Sequence, residues 1–191
     1  MRRILFFGGT FDPIHYAHLI IAEDILQEQK IQTILFLPSL RPPHKECVAS
    51  FNDRVRMVNL AIKDNAALEC SDIEGVLPAP SYTINTLRAL KERMQIDHIA
   101  FIIGMDSAVE FSTWKDPDAL LNEFEILVIP RPGYSQDGVS ERFSKKMNFL
   151  GTRMIDISST EIRERIKKGR DINYLTPDVV IHHIMEKNLY R

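Results

Sequence analysis

The sequence predicts an α/β protein with a Rossmann-like, doubly wound parallel sheet and a C-terminal helical appendage. Two observations lead to this fold class. Short apolar runs rich in Ile, Leu, Val and Phe recur along the chain without alternating with polar residues, which is typical of strands buried on both faces. Segments with the apolar spacing of helices separate these runs, and strands that alternate with helices indicate right-handed βαβ units in one parallel sheet.

The individual elements follow from the same patterns, taken in chain order. The apolar runs predict strands at Ile4–Phe7, Thr33–Leu37, Ile99–Ile103 and Ile126–Ile129, with a weaker one at Met154–Ile157. Apolar side chains that recur on one face predict helices at residues 16–29, 53–63 and 83–94, and two further helices at about 159–168 and 177–188.

Turn-forming and helix-capping residues predict a loop and helix ends in the second half of the chain. Arg131–Ser140 is rich in turn formers and predicts a surface loop. Gly169 can terminate one C-terminal helix, and Thr176 as N-cap with Pro177 at the first position can open the next. The adjacent His182-His183 matches no partner pattern and is predicted to be a surface pair.

Composition bounds the domain organisation and the class of protein. The 191 residues suit a single domain, 1–191, in which 1–150 form the Rossmann-like core and 151–191 carry the last motif and helices. With 24 basic and 26 acidic residues, the net charge of −2 argues against a protein that coats nucleic acid or an anionic membrane.

The same composition bears on the cellular compartment. No apolar run approaches the length of a membrane span, and the run near the start is too short for a secretion signal. Cys47 and Cys70 lack a CxxC or metal-like spacing, so we expect two free thiols in a reducing cytoplasm.

A first candidate site follows the first predicted strand, in the string GGTFDPIHYAH at residues 8–18. Ligands of open parallel sheets bind at the carboxyl ends of strands. The paired Gly8 and Gly9 let the backbone approach a bulky anion, and free N–H groups at the start of the next helix attract phosphate. His15 and His18 are three residues apart, fall on one side of that helix start and can donate to phosphate oxygens.

A second candidate site opens the helix predicted at 159–168, in the string ISSTEIR. Ser158 and Glu161 have the spacing of a capping box. Ser158, Ser159 and Thr160 also gather three hydroxyls at a helix N-terminus, which favours an anion. Arg163 is a cation in the first turn, where the helix dipole disfavours it, and this hints at an anionic partner.

The two strings in this order resemble a known family. GxFxPxHxxH after a first strand, followed by ISSTxIR, resembles the nucleotidyltransferase superfamily related to class I aminoacyl-tRNA synthetases, and specifically the bacterial nicotinate-nucleotide adenylyltransferases. Ala17 stands where the family usually has Gly, a small departure that bears on the affinity for adenosine rather than on the reaction class. The resemblance implies catalytic roles for His15, His18 and Arg163. It implies ATP contacts from Gly8, Gly9, Thr10, Phe11, His15, His18, Gly104, Asp106, Ser158, Ser159, Thr160 and Arg163.

Further family-like elements concern the second substrate: PPHK at 42–45, SYTINTL at 81–87, TW at 113–114 and RPG at 131–133. The resemblance implies contacts to nicotinate mononucleotide from His44, Lys45, Thr83, Thr86, Trp114 and Arg131. Lys45 would contact the phosphate, Thr83 or Thr86 the nicotinate carboxylate, and Trp114 would stack on the pyridine ring, to which a flat aromatic side chain is physically suited. Arg54 occupies the family's next basic position and can equally be a solvated helix residue.

The implied reaction is transfer of AMP from ATP to nicotinate mononucleotide by direct in-line attack. Mg²⁺ would be bound through the ATP phosphates rather than by a protein metal motif, of which the sequence shows none. The expected partners are ATP and nicotinate mononucleotide, and the oligomeric state stays open. Two alternatives also stay open: an adenylyltransferase for another acceptor, such as nicotinamide mononucleotide or phosphopantetheine, and a non-catalytic nucleotide-binding module.

Overall fold

The computed structural model describes residues 4–29, 31–43 and 46–191. The strands of these residues form one parallel sheet. The strands lie in the order β3-β2-β1-β4-β5-β6, and each neighbouring pair is parallel. Their bounds are Ile4–Gly9 (β1), Thr33–Pro38 (β2), Leu68–Cys70 (β3), Ala100–Gly104 (β4), Glu125–Ile129 (β5) and Asn148–Phe149 (β6). The predicted α/β fold class with a doubly wound parallel sheet is confirmed.

Helices connect the strands and close the chain. They are Tyr16–Glu28 (α1), Phe51–Ile62 (α2), Thr83–Met94 (α3), Met105–Val109 (α4), Pro117–Glu123 (α5), Glu141–Ser144 (α6), Ser159–Lys167 (α7) and Asp178–Glu186 (α8). The five helices expected from apolar periodicity are α1, α2, α3, α7 and α8. The short α4, α5 and α6 were not predicted, because helices of two turns or fewer are too short to display a period.

The sheet edges differ from the sequence prediction. The prediction of a weak strand at Met154–Ile157 is wrong, because no strand forms there and Met154 is 59% exposed. The edges are instead formed by β3, whose Leu68 lies opposite Ile34, and by β6, whose Asn148 lies opposite Leu127. These two strands are only three and two residues long, so no apolar run marks them.

Alternate side chains of the central strands enter two separate cores, which explains their continuous apolar sequences. Leu5 and Phe7 point to the face covered by α1, α2, α7 and α8, whereas Ile4 and Phe6 point to the face covered by α3 and α5. The C-terminal helices therefore pack directly on the sheet. Their buried contributions to the first core are Ile162, Ile166, Val180 and Ile184.

Two helix-end predictions have different outcomes. Gly169 has φ +64° just beyond α7, and the N–H of Arg170 donates to the carbonyl of Arg165 at 2.8 Å, so glycine ends the helix as expected. Thr176 is not the N-cap of α8, because Pro177 occupies that position. The Thr176 hydroxyl instead donates to the carbonyl of Ile14 at 2.7 Å.

The prediction of a surface histidine pair is correct for only one of the two residues. His182 is exposed, but His183 is buried and its Nε2 lies 3.1 Å from Oδ1 of Asp53. This contact joins α8 to α2. Cys47 and Cys70 carry free thiols, and no helix among the described residues is long and apolar enough to cross a membrane.

Gly8 and Gly9 are required by aromatic packing. A Cβ on Gly8 would lie 2.6 Å from Cζ of Phe101, and one on Gly9 would lie 2.8 Å from Cζ of Phe11. Both rings are buried and cannot swing aside. The glycine pair therefore makes room for side chains of the protein, and its predicted role of admitting an anion stays a prediction.

We expect Gly8→Ala to destabilise the protein by about 1–3 kcal/mol, because the added methyl group overpacks the core against Phe101. Gly151→Ala is the matched control, since no atom lies within 4 Å of its Cβ position. The free energies of unfolding in urea measure both effects. Equal stability of the two variants would contradict this account of Gly8.

Candidate active site

A cavity of ≈ 860 Å³ opens at the carboxyl ends of β1 and β4. The strand order reverses direction between these two strands, and open α/β sheets bind ligands at such a point. The cavity is lined by residues from both predicted binding sets: Gly8, Gly9, Thr10, Gly104 and Asp106 from the ATP set, with Thr83, Thr86 and Trp114 from the acceptor set. His44 and Lys45 lie outside the described residues. The structure thus brings part of each set together around one cavity. The other members of the ATP set are not among the described residues that line it: Phe11, His15, His18, Ser158, Ser159, Thr160 and Arg163.

The two histidines form a stacked pair at the start of α1. Their ring centroids lie 3.7 Å apart, and the backbone N–H of His15 donates to Nδ1 of His18 at 3.3 Å. Because Nδ1 of His18 accepts, its proton lies on Nε2, which is then available as a donor. The buried His15 has no hydrogen-bond partner for either ring nitrogen among the described residues, which is unusual for a buried polar group and marks it for a ligand.

Both histidines are neutral in the free protein at neutral pH. Burial, and then the charge of Arg131, lowers the pKa of His15 from 6.5 to about 3. Burial, and then His15 and Arg131, lowers the pKa of His18 well below the same ordinary value. The two rings therefore carry no positive charge in the free protein at neutral pH.

Phe11 supports the histidines from the protein side. Its side chain is 2% exposed, and its ring meets that of His18 edge to face at a centroid distance of 5.0 Å. Its backbone has φ +49°, a rare conformation for a bulky residue, at the bend of the turn. Phe11 is not among the described residues that line the cavity, so its predicted contact with ATP stays a prediction.

Side chains from distant segments hold the carbonyl groups of this turn. Each donor is a guanidinium or hydroxyl group from α2, from α7 or from the residue before Pro177. The bonds run from Arg54 to Thr10 O (2.7 Å), Arg163 to Asp12 O (2.8 Å), Ser159 to Pro13 O (2.8 Å) and Thr176 to Ile14 O (2.7 Å). The turn bearing the histidines is consequently fixed by residues that lie up to 162 positions away in sequence.

Arg54 and Asp12 are buried residues for which the sequence predicted no definite role in the site. Arg54 is fully buried, and besides Thr10 it donates to the carbonyls of Ala49 and Leu40, each at 3.3 Å. The solvated alternative for Arg54 is therefore wrong. The Asp12 carboxylate is 2% exposed and accepts two backbone N–H groups near the start of α2. Asp12 is the one acidic residue in the motif at residues 8–18, and this was the available signal for it.

The second motif lies directly against the first. The Ser158 hydroxyl accepts the N–H of Glu161 at 3.1 Å, but the Glu161 carboxylate binds Arg165, so only half of the predicted capping box forms. Arg163 also donates to the Thr160 hydroxyl at 3.2 Å. Since a guanidinium has five N–H donors, these bonds leave Arg163 with donors for a further acceptor.

Arg131 lies beside residues predicted for ATP. Its Nε is 3.9 Å from Oδ2 of Asp106, and its charge acts on both histidines. Gly104 makes this arrangement sterically feasible, because a Cβ there would lie 2.3 Å from Oδ1 of Asp106. Arg131 is not among the described residues that line the cavity, which separates it from the acceptor set in which the sequence placed it.

The two threonines of the acceptor set are not equivalent. The Thr86 hydroxyl donates to Oε1 of the buried Glu74 at 2.8 Å, and Oε2 of Glu74 accepts the N–H of Leu40 at 2.8 Å. A hydroxyl has one proton, so Thr86 has none left for a ligand carboxylate. Thr83, the first residue of α3, is therefore the better candidate for that contact.

Aromatic side chains form the opposite wall of the cavity. Trp114 is half-buried against Phe111, with ring centroids 5.2 Å apart, and leaves a face toward the cavity. The ammonium group of Lys115 lies 4.7 Å over the Tyr82 ring. Lys115, Tyr82, Glu74 and Tyr134 also line the cavity and were not predicted as site residues. Tyr82 lies within the string SYTINTL, and Lys115 and Tyr134 directly follow TW and RPG, whereas no motif marks Glu74.

Comparisons with known proteins bear on the family of this chain. Residues 6–165 match the family model described as cytidylyltransferase-like. A "Probable nicotinate-nucleotide adenylyltransferase" of Clostridium tetani is 40% identical over 200 residues, which cover 100% of both chains. A protein of the same description from Citrifermentans bemidjiense is 38% identical over 211 residues, and the alignment covers 98% of each chain.

Solved structures share the fold. The Plasmodium falciparum nicotinic acid mononucleotide adenylyltransferase complexed with NaAD superposes with a TM-score of 0.82 at 24% identity, over 100% of this chain and 98% of the other. The same enzyme complexed with APC gives a TM-score of 0.80 at 24% identity, with the same coverage. This agreement over the full length includes the C-terminal helices.

The histidine pair makes the stability of the free protein depend on pH. Because the folded-state pKa values lie below 6.5, the unfolded chain binds more protons below that pH. Above about pH 6.5 the neutral histidine pair makes its full contribution to the free energy of unfolding. As the pH drops from there toward 3, the free energy of unfolding falls by up to about 1.4 kcal/mol per pH unit for each histidine. Urea unfolding between pH 7.5 and 5 measures this slope.

The variant His18→Gln should lose about half of this slope, whereas His182→Gln, at an exposed position, should keep it. Identical slopes for His18→Gln and the unmodified protein would show that His18 is not buried in its neutral form.

Proposed function

The chain belongs to the cytidylyltransferase-like family and, within it, to the nicotinate-nucleotide adenylyltransferases, and we propose that it transfers AMP from ATP to nicotinate mononucleotide. The products are nicotinate adenine dinucleotide and pyrophosphate, and the reaction is a step of NAD biosynthesis. One observation supports the proposal beyond the family relationship: Gly8, Gly9, Thr10, Gly104 and Asp106 of the predicted ATP set line the same cavity as Trp114 of the acceptor set.

The reaction needs positioning more than acid–base chemistry. A phosphate oxygen of nicotinate mononucleotide attacks the α-phosphorus of ATP in line, a bond to that oxygen forms, and the bond to the pyrophosphate oxygen breaks. The attacking phosphate is already an anion, so no general base is required. Catalysis then depends on holding the two substrates in line and on stabilising the charge that develops around the α-phosphate.

We assign the α-phosphate to His15 and His18. His18 offers Nε2–H as a donor, and the partnerless ring nitrogens of His15 would gain an acceptor or donor on binding. Polyphosphate charge next to the pair raises the pKa of both rings from their low free values, so binding and protonation reinforce each other.

The leaving pyrophosphate is assigned to the start of α7. Ser158 caps this helix, Thr160 lies in its first turn, and Arg163 has guanidinium donors to spare. Ser159 and Arg163 also bond to the turn that carries the histidines, so the two phosphate-binding segments keep a fixed separation. A fixed separation suits a reaction whose bond-making and bond-breaking atoms must lie in line.

Mg²⁺ fits this site as an ion carried by the substrate. Among the residues that the structure describes, no group of three His, Cys, Asp or Glu side chains could hold a metal ion. Mg²⁺ binds readily through substrate phosphates and water, and when bound there it neutralises phosphate charge. The protein residues that then matter are those that bind the phosphates.

The acceptor is assigned to the aromatic wall. The Trp114 ring would stack on the pyridine ring, and Thr83 at the start of α3 would donate to the nicotinate carboxylate. Nicotinamide mononucleotide remains the nearest alternative acceptor, since it differs only in that carboxylate. Free thiols at Cys47 and Cys70 support action in a reducing compartment, as expected for the cytoplasm.

The function is tested by following pyrophosphate release from ATP and Mg²⁺ with nicotinate mononucleotide, nicotinamide mononucleotide and phosphopantetheine in turn. Nicotinate mononucleotide should give the highest kcat/KM. Release only with another acceptor would reassign the substrate, and no release with any acceptor would leave a nucleotide-binding module.

In the same assay, His18→Ala should lower kcat on the order of a hundredfold, because it removes one donor to the α-phosphate. His182→Ala is the matched control, since His182 is exposed on α8, and should retain full turnover. Near-full turnover of His18→Ala would contradict the role given to this residue.

Trp114→Ala should raise KM for nicotinate mononucleotide on the order of tenfold, through loss of the stacking surface, and leave KM for ATP within about threefold. The chain has one Trp, so its fluorescence reports acceptor binding directly. Fluorescence that does not change on addition of the acceptor would contradict the assignment of Trp114 to the pyridine ring.

A further inference from the structure

We propose that Tyr190, the penultimate residue, is a positioning residue for the histidine pair and acts through Asp12. The inference rests on the proposed function, since it concerns the turn assigned to the α-phosphate. It adds a residue that lies outside both motifs and outside the cavity. Its basis is a buried hydrogen bond between the end of the chain and the centre of the first motif.

The contact itself is short and buried. The Tyr190 hydroxyl donates to Oδ1 of Asp12 at 2.6 Å, and the two residues are 4% and 2% exposed. Burial, and then the negative charge of Asp12, raises the pKa of Tyr190 above its usual range. The phenol therefore stays protonated and donates throughout the pH range in which the protein is folded.

The Asp12 carboxylate joins two separate parts of the chain to the turn. Oδ2 accepts the N–H of Val48 at 2.7 Å, and Oδ1 accepts the N–H of Ala49 at 3.2 Å together with the Tyr190 hydroxyl. Tyr190 thus supplies the side-chain donor that orients a buried carboxylate three residues before His15. Removing this hydroxyl leaves the Asp12 carboxylate with one backbone N–H donor on each oxygen and without the side-chain donor that binds it to the segment after α8.

The path of the chain after α8 is shaped to deliver this side chain. Asn188 and Tyr190 have φ values of +51° and +67°, a conformation rare for residues other than glycine. Such backbone persists only where surrounding contacts hold it. Here the contacts are the bond to Asp12 and the packing of the Tyr190 ring in the core that also contains Phe11 and Ile14.

The geometry links Tyr190 to turnover more than to substrate affinity. The main-chain carbonyl of Asp12 accepts from Arg163, so a shift of the Asp12 backbone on loss of the Tyr190 bond reaches both phosphate-binding segments at once. Neither Tyr190 nor Asp12 is among the described residues that line the cavity. A small displacement of the histidines from the line of attack lowers kcat, whereas the walls that bind the substrates remain in place.

The test compares Tyr190→Phe with Tyr174→Phe, which removes the same hydroxyl from a residue that is 89% exposed. Tyr190→Phe should lower kcat about tenfold and leave KM for ATP and acceptor within about twofold. Its imidazole NMR signals from His15 and His18 should shift. Tyr174→Phe should match the unmodified protein in all three readouts.

Asp12→Asn provides a second, independent arm. If the two residues act through one contact, Tyr190→Phe should have little further effect on kcat in the Asp12→Asn background. Unchanged kcat and unshifted histidine signals in Tyr190→Phe would overturn the proposal, as would full additivity of the two substitutions. A loss of Tm in Tyr190→Phe with unchanged kcat well below Tm would reduce Tyr190 to a structural role.

These outcomes separate this inference from the proposed function. If the unmodified protein transfers AMP and Tyr190→Phe is equally active, only the positioning role fails. If the unmodified protein transfers AMP to no acceptor, the proposed function fails, and the histidine NMR signals of Tyr190→Phe still test whether Tyr190 positions the pair.

Discussion

The turn from Thr10 to Ile14 cannot satisfy its own backbone, and the rest of the structure depends on how this need is met. Its carbonyl groups lie outside the regular hydrogen bonding of β1 and α1, yet the residues that carry them are largely buried, where an unpaired carbonyl is costly. Arg54, Ser159, Arg163 and Thr176 supply the missing donors. Because these residues come from α2, α7 and the segment before α8, the catalytic turn can be complete only when the C-terminal helices are packed on the sheet.

The same burial sets the charge state of the site. Holding the turn in a dry environment lowers the pKa of both histidines, so the free protein presents neutral rings beside the charge of Arg131. The substrates are the anions that change this balance. A chain whose overall charge is nearly neutral can therefore handle highly charged nucleotides, because the placement of a few groups matters more than their sum. In the proposed function, two helix starts, two imidazoles and a few guanidinium groups supply what the phosphates require.

Elements with a strong repeating pattern were predictable from the sequence, and elements without one were not. The central strands β1, β2, β4 and β5 carry continuous apolar runs because both of their faces are covered, and their positions were predicted to within one or two residues. The edge strands β3 and β6 were not predicted, because a strand of two or three residues leaves no repeating pattern. A strand was also predicted near Met154, where none forms. Local capping was predicted in part: Ser158 caps α7, but Glu161 prefers Arg165 and Thr176 serves the catalytic turn.

The sequence by itself determined the fold class, the order of the two phosphate-binding motifs and the family to which they point, because these depend on residue types at short, fixed spacings. Only the tertiary structure decided what each residue does within the site. In the structure, Gly8 and Gly9 leave room for aromatic rings, and the Thr86 hydroxyl donates to Glu74. Arg54 is buried, and the Tyr190 hydroxyl donates to Asp12. These outcomes depend on which atoms become neighbours across a sheet and two layers of helices. Burial and hydrogen-bond pairing between residues more than a hundred positions apart leave no local pattern in the chain.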